Sequence, residues 1–387
     1  MRLILGTSAL ALGGALAGCS TGGNFGGGIG DGTPAPTPGD SIGTGSTRVA
    51  MLLPLTATGN AGKTAQAMRS AAELALSEIT VQSVTLLPYD TGGTGPGAQT
   101  AAQAAIQAGA EIALGPLFSS SVAAATPILR SANVPVIAYS TDTNVAGQGV
   151  YLLSFLPRNE IDTIVAHAAR SGKRSFAALL PIGAYGTVVE GAARESIARH
   201  GGQLRAVEYY EPDKLKMQEA VQKIASVAGG ASPSVDAMLA PDGAAGLRAL
   251  AEYFGVYKID PRKVQLLGSG QWDDPVVRGI PALAGGLYAA PDPAGFESLA
   301  SRFQARFGYR PPRLVSLAYD SVSLVAALAA RGSGFSQGSL TNRDGFAGTD
   351  GLFRFLPNGA NERGLAIMAV QTGAPRMVVP APRSFTA

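Results

Sequence analysis

Residues 111–143 read EIALGPLFSSSVAAATPILRSANVPVIAYSTDT, and this stretch decides the fold class. Ile112 to Leu114 is a short apolar run stopped by Gly115 and Pro116, which predicts a buried strand. The hydroxyl residues Ser119, Ser120 and Ser121 then open a helical pattern, and Val134 to Tyr139 forms the next apolar run. Strand, helix and strand in this order predict a parallel pair with a crossover helix. A serine cluster between a strand's carboxyl end and a helix start offers free N–H groups, the positive end of a helix dipole and hydroxyls. That combination suits an anion or carboxylate. A serine there also serves as a plain helix cap. The second cluster, Ser140, Thr141 and Thr143, follows the next strand, and in an open parallel sheet both clusters rim one crevice.

The same alternation extends in both directions. RVAMLLPL from Arg48 predicts a buried strand, AGKTAQAMRSAAELALSEI an Ala-rich amphipathic helix, Val84 to Asp90 a strand and Ala98 to Ala108 a helix. After a strand at Tyr151 to Phe155, a second series runs from a helix at Arg158 to a strand at Val264 to Gly268. The expected fold class is therefore α/β: lobes built as doubly wound, mostly parallel sheets with helices on both faces. A cleft between them is the expected ligand site. The tail carries strand-like runs LFRF and GLAIMAV around Pro357-Asn358-Gly359, a hairpin signal.

Composition narrows the function. The chain has 387 residues, is 46% hydrophobic and carries a formal net charge of +3, with no run of basic residues interleaved with aromatics. Nucleic acid is not an expected partner. One cysteine and two distant histidines, His167 and His200, make neither a disulfide nor a metal-ligand pattern. No general acid, base or nucleophile constellation appears, so neither catalysis nor a cofactor is expected.

The N-terminus reads as an address. Arg2 precedes an uncharged Ala/Leu/Gly-rich run ending in Leu16-Ala17-Gly18-Cys19, too short for a bilayer-spanning helix of about twenty residues. LAGC after such a run resembles the bacterial lipoprotein box, which implies a membrane lipid anchor on Cys19. Ser20 at the next position resembles lipoproteins sorted to the outer membrane. Residues 19–47, rich in Gly, Pro, Ser and Thr, are expected to form a tether. Gly39 to Gly43 matches G-x-S-x-G without the strand and helix of a nucleophile elbow. Ala57 to Thr64 satisfies a loose phosphate-loop pattern between strand and helix, which makes a P-loop NTPase the remote alternative.

In order and motif, residues from Arg48 to Val379 resemble the leucine-binding-protein family of type I periplasmic binding proteins. RVAMLLPLTATG is similar to that family's opening strand, GPLFSSS to its ligand serine motif and VPVIAYSTDT to its next strand. PIGAYG resembles the segment with a cleft tyrosine, and YRPPRLVSLAYDSVSLVAAL a signature helix. The LLPL opening, the QW segment at Trp272 and the tail with Arg363 resemble the binding-protein-like domain of penicillin-binding-protein activators. The resemblance implies two lobes joined by three crossings. It divides the chain into a signal peptide (1–18), the tether, lobe one (48–155 and 273–345) and lobe two (156–272 and the terminal hairpin, 346–387). It further implies a cleft lined by Ser119, Ser120, Ser140, Thr141, Thr143, Tyr185, Asp242 and Trp272. Either Asp142 or Thr143 falls where the family has a threonine. The implied role is a non-enzymatic envelope lipoprotein facing the periplasm. Such a protein acts through a peptidoglycan synthase or another envelope protein, or through an amino acid or small carboxylate. The alternative is the solute receptor of an amino-acid ABC transporter.

Overall fold

The computed structural model describes residues 41–385. The signal peptide, Cys19 and most of the expected tether lie outside the described residues.

The first sheet is organised around one long interior strand. β1 (Thr47–Leu53) is completely buried from Val49 onward, as a central strand covered on both faces must be. Around it stand β2 (Val84–Asp90), β3 (Ile112–Leu114), β4 (Val136–Ala138) and β5 (Val150–Leu152), all parallel, in the order β2-β1-β3-β4-β5. The crossovers are α1 (Gly59–Glu78), α2 (Gly95–Gln107) and α3 (Ser119–Ser131). Side chains alternate along β1, so Val49, Met51 and Leu53 meet α1 while Ala50 and Leu52 meet α2 and α3.

The second lobe repeats the scheme with α4 (Pro157–Arg170), β6 (Ser175–Pro181), α5 (Ala184–Arg199), β7 (Gln203–Tyr210) and α6 (Lys214–Ala228). It continues with β8 (Ala237–Leu239), α7 (Ala244–Val256), β9 (Gln265–Gly268), α8 (Pro275–Arg278) and β10 (Leu287–Ala290). Helix starts follow local chemistry: Asp213 accepts from Leu215 N and Lys216 N to cap α6. The chain then supplies α9 (Pro293–Phe307), α10 (Val315–Ala330), α11 (Gln337–Leu340), β11 (Phe346–Gly348), β12 (Gly351–Phe355), β13 (Asn361–Arg363), β14 (Ala366–Ala369) and β15 (Arg376–Val379). The second sheet runs β15-β14-β10-β9-β8-β6-β7.

Three placements differ from expectation. The strand after Trp272 does not join the first lobe: β10 pairs parallel with β9 and antiparallel with β14, so it lies inside the second sheet. Only the helices after it cross over, α9 and α10 burying Leu299, Phe303, Val322 and Val325 against the α1 face of the first sheet. The terminal hairpin is also divided. β12 turns at Pro357-Asn358-Gly359 and pairs with β13, not with GLAIMAV, and Phe353 and Phe355 enter the first-lobe core. GLAIMAV becomes β14 in the second lobe. Lastly, the end of the expected tether is structured: Ile42 exchanges backbone hydrogen bonds with Leu86 at 3.0 and 2.8 Å and packs on the core. An isoleucine among glycines is enough to dock that segment beside β2.

The phosphate-loop pattern has a different shape too. α1 begins at Gly59, so residues 59–64 are helical turns rather than an open loop, and Lys63 is exposed. A Cβ at Gly62 would stand 2.0 Å from Ala57 O, which accounts for the glycine by close backbone approach.

Candidate functional site

The chain passes between the lobes three times: from β5 to α4, from β10 to α9, and from β13 to β14. The crossings are tied together by polar groups. Ser154 O, on the first, accepts from Asn361 Nδ2 at 2.8 Å and Arg363 Nε at 3.0 Å, on the third. Asn159 Nδ2 donates to Asn361 O at 3.0 Å. Two guanidinium groups lie near Phe155, Arg363 at 4.7 Å and Arg313 at 5.8 Å from its ring centre.

Beside the first two crossings opens a cleft of about 980 Å³. Its walls are largely apolar and stiff, with Phe155, Phe296 and prolines, and its polar groups include Thr141, Tyr185, Gln271 and Glu160. Thr141 comes from the turn after β4, Tyr185 from the first turn of α5, and Gln271 from the turn after β9. Groups from both lobes therefore face one space.

The expected site residues divide into several kinds. Ser119 and Ser120 begin α3, half-buried and exposed, at the carboxyl end of β3, while Ser140 to Thr143 follow the adjacent β4. No serine side chain caps α3; Phe118 holds that position. Ser121 is buried and donates to Thr94 O at 3.3 Å. Ser140 is buried, its hydroxyl accepting from Asp142 N at 3.1 Å, and Asp142 turns its own carboxylate to Asn144 N at 3.0 Å. Thr143 is exposed, and Thr141 is the member of this cluster that lines the cleft with Tyr185. The Tyr185 hydroxyl lies 2.9 Å from Ser269 Oγ, and its pKa is pushed up to about 12, chiefly by burial.

Asp242 is occupied internally. It accepts from Tyr210 OH at 2.5 Å and from Gly243 N at 2.7 Å. Trp272 does not line the cleft: it is completely buried in the second-lobe core, with Nε1 donating to Ala240 O at 3.1 Å. Gly268 makes room for it, since a Cβ there would stand 2.1 Å from the indole. The large apolar face of a lone tryptophan is better satisfied by such burial than by an open rim.

Sequence reasoning missed the acids and bases at the crossings. Glu160, in the first turn of α4, is 8% exposed and accepts from Gly270 N at 2.9 Å. Burial pushes its pKa up to about 7, against the opposing pull of Gly270 N, Arg313 and Arg363. Asp320 is pushed up to about 6 by burial, with Thr349 N donating to Oδ1 at 2.7 Å. Asp350, with no exposed surface, binds Arg313 Nη2 at 2.6 Å and also takes the Ser316 hydroxyl. Arg363 is 6% exposed, and Nη1 and Nη2 have no hydrogen-bond partner among the described residues. A glutamate at a Pro-led helix start reads as an ordinary first-turn acid, so only the fold reveals its burial. Among the described residues no cluster of metal-ligating side chains is present.

Comparison with known proteins agrees with this architecture. Residues 46–374 match the family model for periplasmic binding protein. Among solved structures, a branched-chain amino acid ABC transporter periplasmic ligand-binding protein from Burkholderia xenovorans LB400 is 16% identical. Its TM-score is 0.71, over 88% of this chain and 97% of that one. An ABC transporter substrate-binding protein from Desulfitobacterium hafniense in complex with leucine is 16% identical, with a TM-score of 0.63 over 86% and 99%. A solute-binding protein from Rhodopseudomonas palustris BisB5 in complex with 3,4-dihydroxybenzoic acid is 18% identical, with a TM-score of 0.59 over 87% and 98%. No curated protein matches the chain in sequence.

Proposed function

We propose, from the premise that this chain belongs to the periplasmic binding protein family, that it is a non-enzymatic receptor for a small organic solute, of the kind that serves an amino-acid ABC transporter. The observation that carries this reading is the cleft of about 980 Å³, with Thr141 on one lobe and Tyr185 and Gln271 on the other. Its size and apolar walls suit a small molecule enclosed on several sides. The leucine and dihydroxybenzoic acid held by the similar proteins are molecules of that size class. Closure of the lobes would bring Thr141 toward Tyr185, with Ser119, Ser120, Ser140 and Thr143 as further first-lobe donors. The family supports a periplasmic location, and the LAGC box with Ser20 supports anchoring to the outer membrane through lipid on Cys19.

A second reading is favoured by one observation: Asp242 is engaged by Tyr210 and Gly243, and Trp272 is buried, so two groups of the implied amino-acid site are turned inward. On this reading the protein acts like the penicillin-binding-protein activators, regulating a peptidoglycan synthase through surface contacts.

A thermal-shift screen of the mature chain against amino acids and aromatic acids tests the receptor reading. A ligand at a hundred times its Kd should stabilise by about 2.7 kcal/mol. No shift with any of them, together with a peptidoglycan synthase recovered by crosslinking in cells, would replace the receptor with the regulator.

A further inference from the structure

At the opposite end of the first-lobe strands from the cleft lies a second cavity, of about 310 Å³. It forms where the last turn of α3 meets the amino ends of β4 and β5 and the start of α11. Val136 and Val150, both buried, and the half-buried Phe335 give it apolar walls. Its polar side chains are Thr126, Arg130, Asn133, Gln148, Tyr151 and Gln337, and none of the six makes a side-chain hydrogen bond or ion pair with another described residue.

Two of these groups are enclosed. Thr126 Oγ1 is buried without a partner, and Tyr151 is 2% exposed, its ring 5.5 Å from that of Phe355 and its hydroxyl unpaired among the described residues. Enclosed polar groups are nearly always hydrogen-bonded, to protein or to something held beside it. One member of the set has a local cause: Asn133 stands at φ 55, a conformation that asparagine tolerates, just past the end of α3. Gln148, in the turn before β5, and Gln337, the first residue of α11, carry amides that no contact of the fold uses.

The geometry points to a second ligand site, one that takes a neutral sugar ring, either a single hexose or the end of a saccharide chain. The lining decides the chemistry. No acid is among the lining residues, so an ammonium finds no counter-charge. The one cation, Arg130, lies in the last turn of α3, where the negative end of the helix dipole takes up its charge and disfavours an anion. What remains is three amides, a hydroxyl and a phenol, which present donors and acceptors side by side. A sugar hydroxyl both donates and accepts, so neighbouring hydroxyls on a ring match such a set, whereas a carboxylate would use the donors alone. Phe335 supplies an aromatic face for the C–H side of the ring. The volume is that of a pocket for one small ligand. The inference is independent of the receptor reading: α3 runs from Ser119 to Ser131 and β4 from Val136 toward Ser140, so cavity and cleft lie at opposite ends of the same two elements.

Saturation-transfer NMR on the mature chain tests this with glucose, galactose, mannose and N-acetylglucosamine. Glucosamine and glucuronate, which carry an ammonium or a carboxylate on the same kind of ring, complete the set. At least one neutral sugar should receive saturation at its ring C–H groups and bind more tightly than both charged rings. Gln148→Ala and Gln337→Ala, on the exposed rim, should each weaken that sugar roughly two- to tenfold, the loss of one neutral hydrogen bond. Tyr151→Phe, which removes the hydroxyl and keeps the ring beside Phe355, should weaken it by a similar factor. Transfer to none of the six would leave the cavity to water and overturn the inference. Tighter binding of glucuronate or glucosamine would overturn it too, and so would sugar binding that none of the three variants changes. Each of these results leaves the receptor reading standing, because that reading rests on the cleft.

Discussion

Asp242 and Glu160 both raise the pKa of Tyr185, so both stand close to the same cleft tyrosine, yet their circumstances are opposite. Asp242 sits at the turn after β8, where a tyrosine hydroxyl and a backbone N–H from its own lobe satisfy it. Glu160 sits at the first crossing, held by one backbone N–H and acted on by arginines from the second half of the chain. The contrast shows that position in a motif does not tell which acid is free. A carboxyl already matched by local donors contributes to the fold, and one matched only partly keeps a cost of burial.

The charges around Glu160 depend on one another, and the largest effect should come from breaking that dependence. Arg363→Ala removes one of the two donors to Ser154 O and the nearer of the two guanidinium groups beside Phe155, and leaves Asp320 and Asp350 with less opposing charge. Removal of one member of a buried charged set costs about 3–5 kcal/mol. Urea unfolding at pH 7.5 should show a loss of that order, and the loss should shrink near pH 4 as Asp320 and Glu160 take up protons. A loss under about 1 kcal/mol would mean that the crossing tolerates its charges independently.

The next effect is on stability against pH. The folded-state pKa of Glu160 is raised, so the folded protein binds more protons than the unfolded chain between the ordinary value of 4.5 and about 7. Stability is then highest below that window, falls as pH rises through it, and levels off above it. Asp320, raised to about 6, adds to the same trend. Glu160→Gln removes the Glu160 share. The variant should therefore match wild type near pH 4.5 and exceed it by roughly 2–3 kcal/mol at pH 8, since each tenfold change in proton affinity is worth about 1.4 kcal/mol. Thermal melts across this range check it. An equal offset at both ends would show that the variant acts through packing instead of ionisation.

How much of this was legible in the sequence follows from the range of the interactions concerned. The strands and crossover helices of both lobes were legible because each depends on a local apolar run and a local start or stop, as in RVAMLLPL and in GPLFSSS. Sheet membership was not always so. β10 is an apolar run that would suit either lobe, and its pairing with β9 and β14 is settled by register far along the chain. The positions of the hydroxyl clusters at Ser119 and Ser140, at the carboxyl ends of β3 and β4, were legible because each follows a local apolar run. Trp272 was misplaced because burial in the core and exposure in a cleft look alike in one aromatic letter. Glu160 was invisible because its donor, Gly270, is 110 residues away.

The smallest effect concerns the acid that the sequence did single out. In Asp242→Asn the side chain keeps its shape, and one oxygen still accepts from Gly243 N or Tyr210 OH. What is lost is the charge assistance to those donors, together with the attraction of a carboxylate to the start of α7. A Cβ at Gly246 would stand 1.8 Å from Asp242 Oδ2, so the carboxylate is folded back against the first turn of that helix, away from a role in open solvent. Stability should drop by about 1–2 kcal/mol, while the Kd for phenylalanine should change by less than about twofold. Unfolding and calorimetry on the same preparation give both numbers. Tenfold weaker binding in Asp242→Asn would show that this carboxyl is not confined to the fold. The tyrosine would then have to release Asp242 as the ligand enters, and the hydrogen bond from Tyr210 would be a latch on the cleft instead of a fixed part of the second-lobe core.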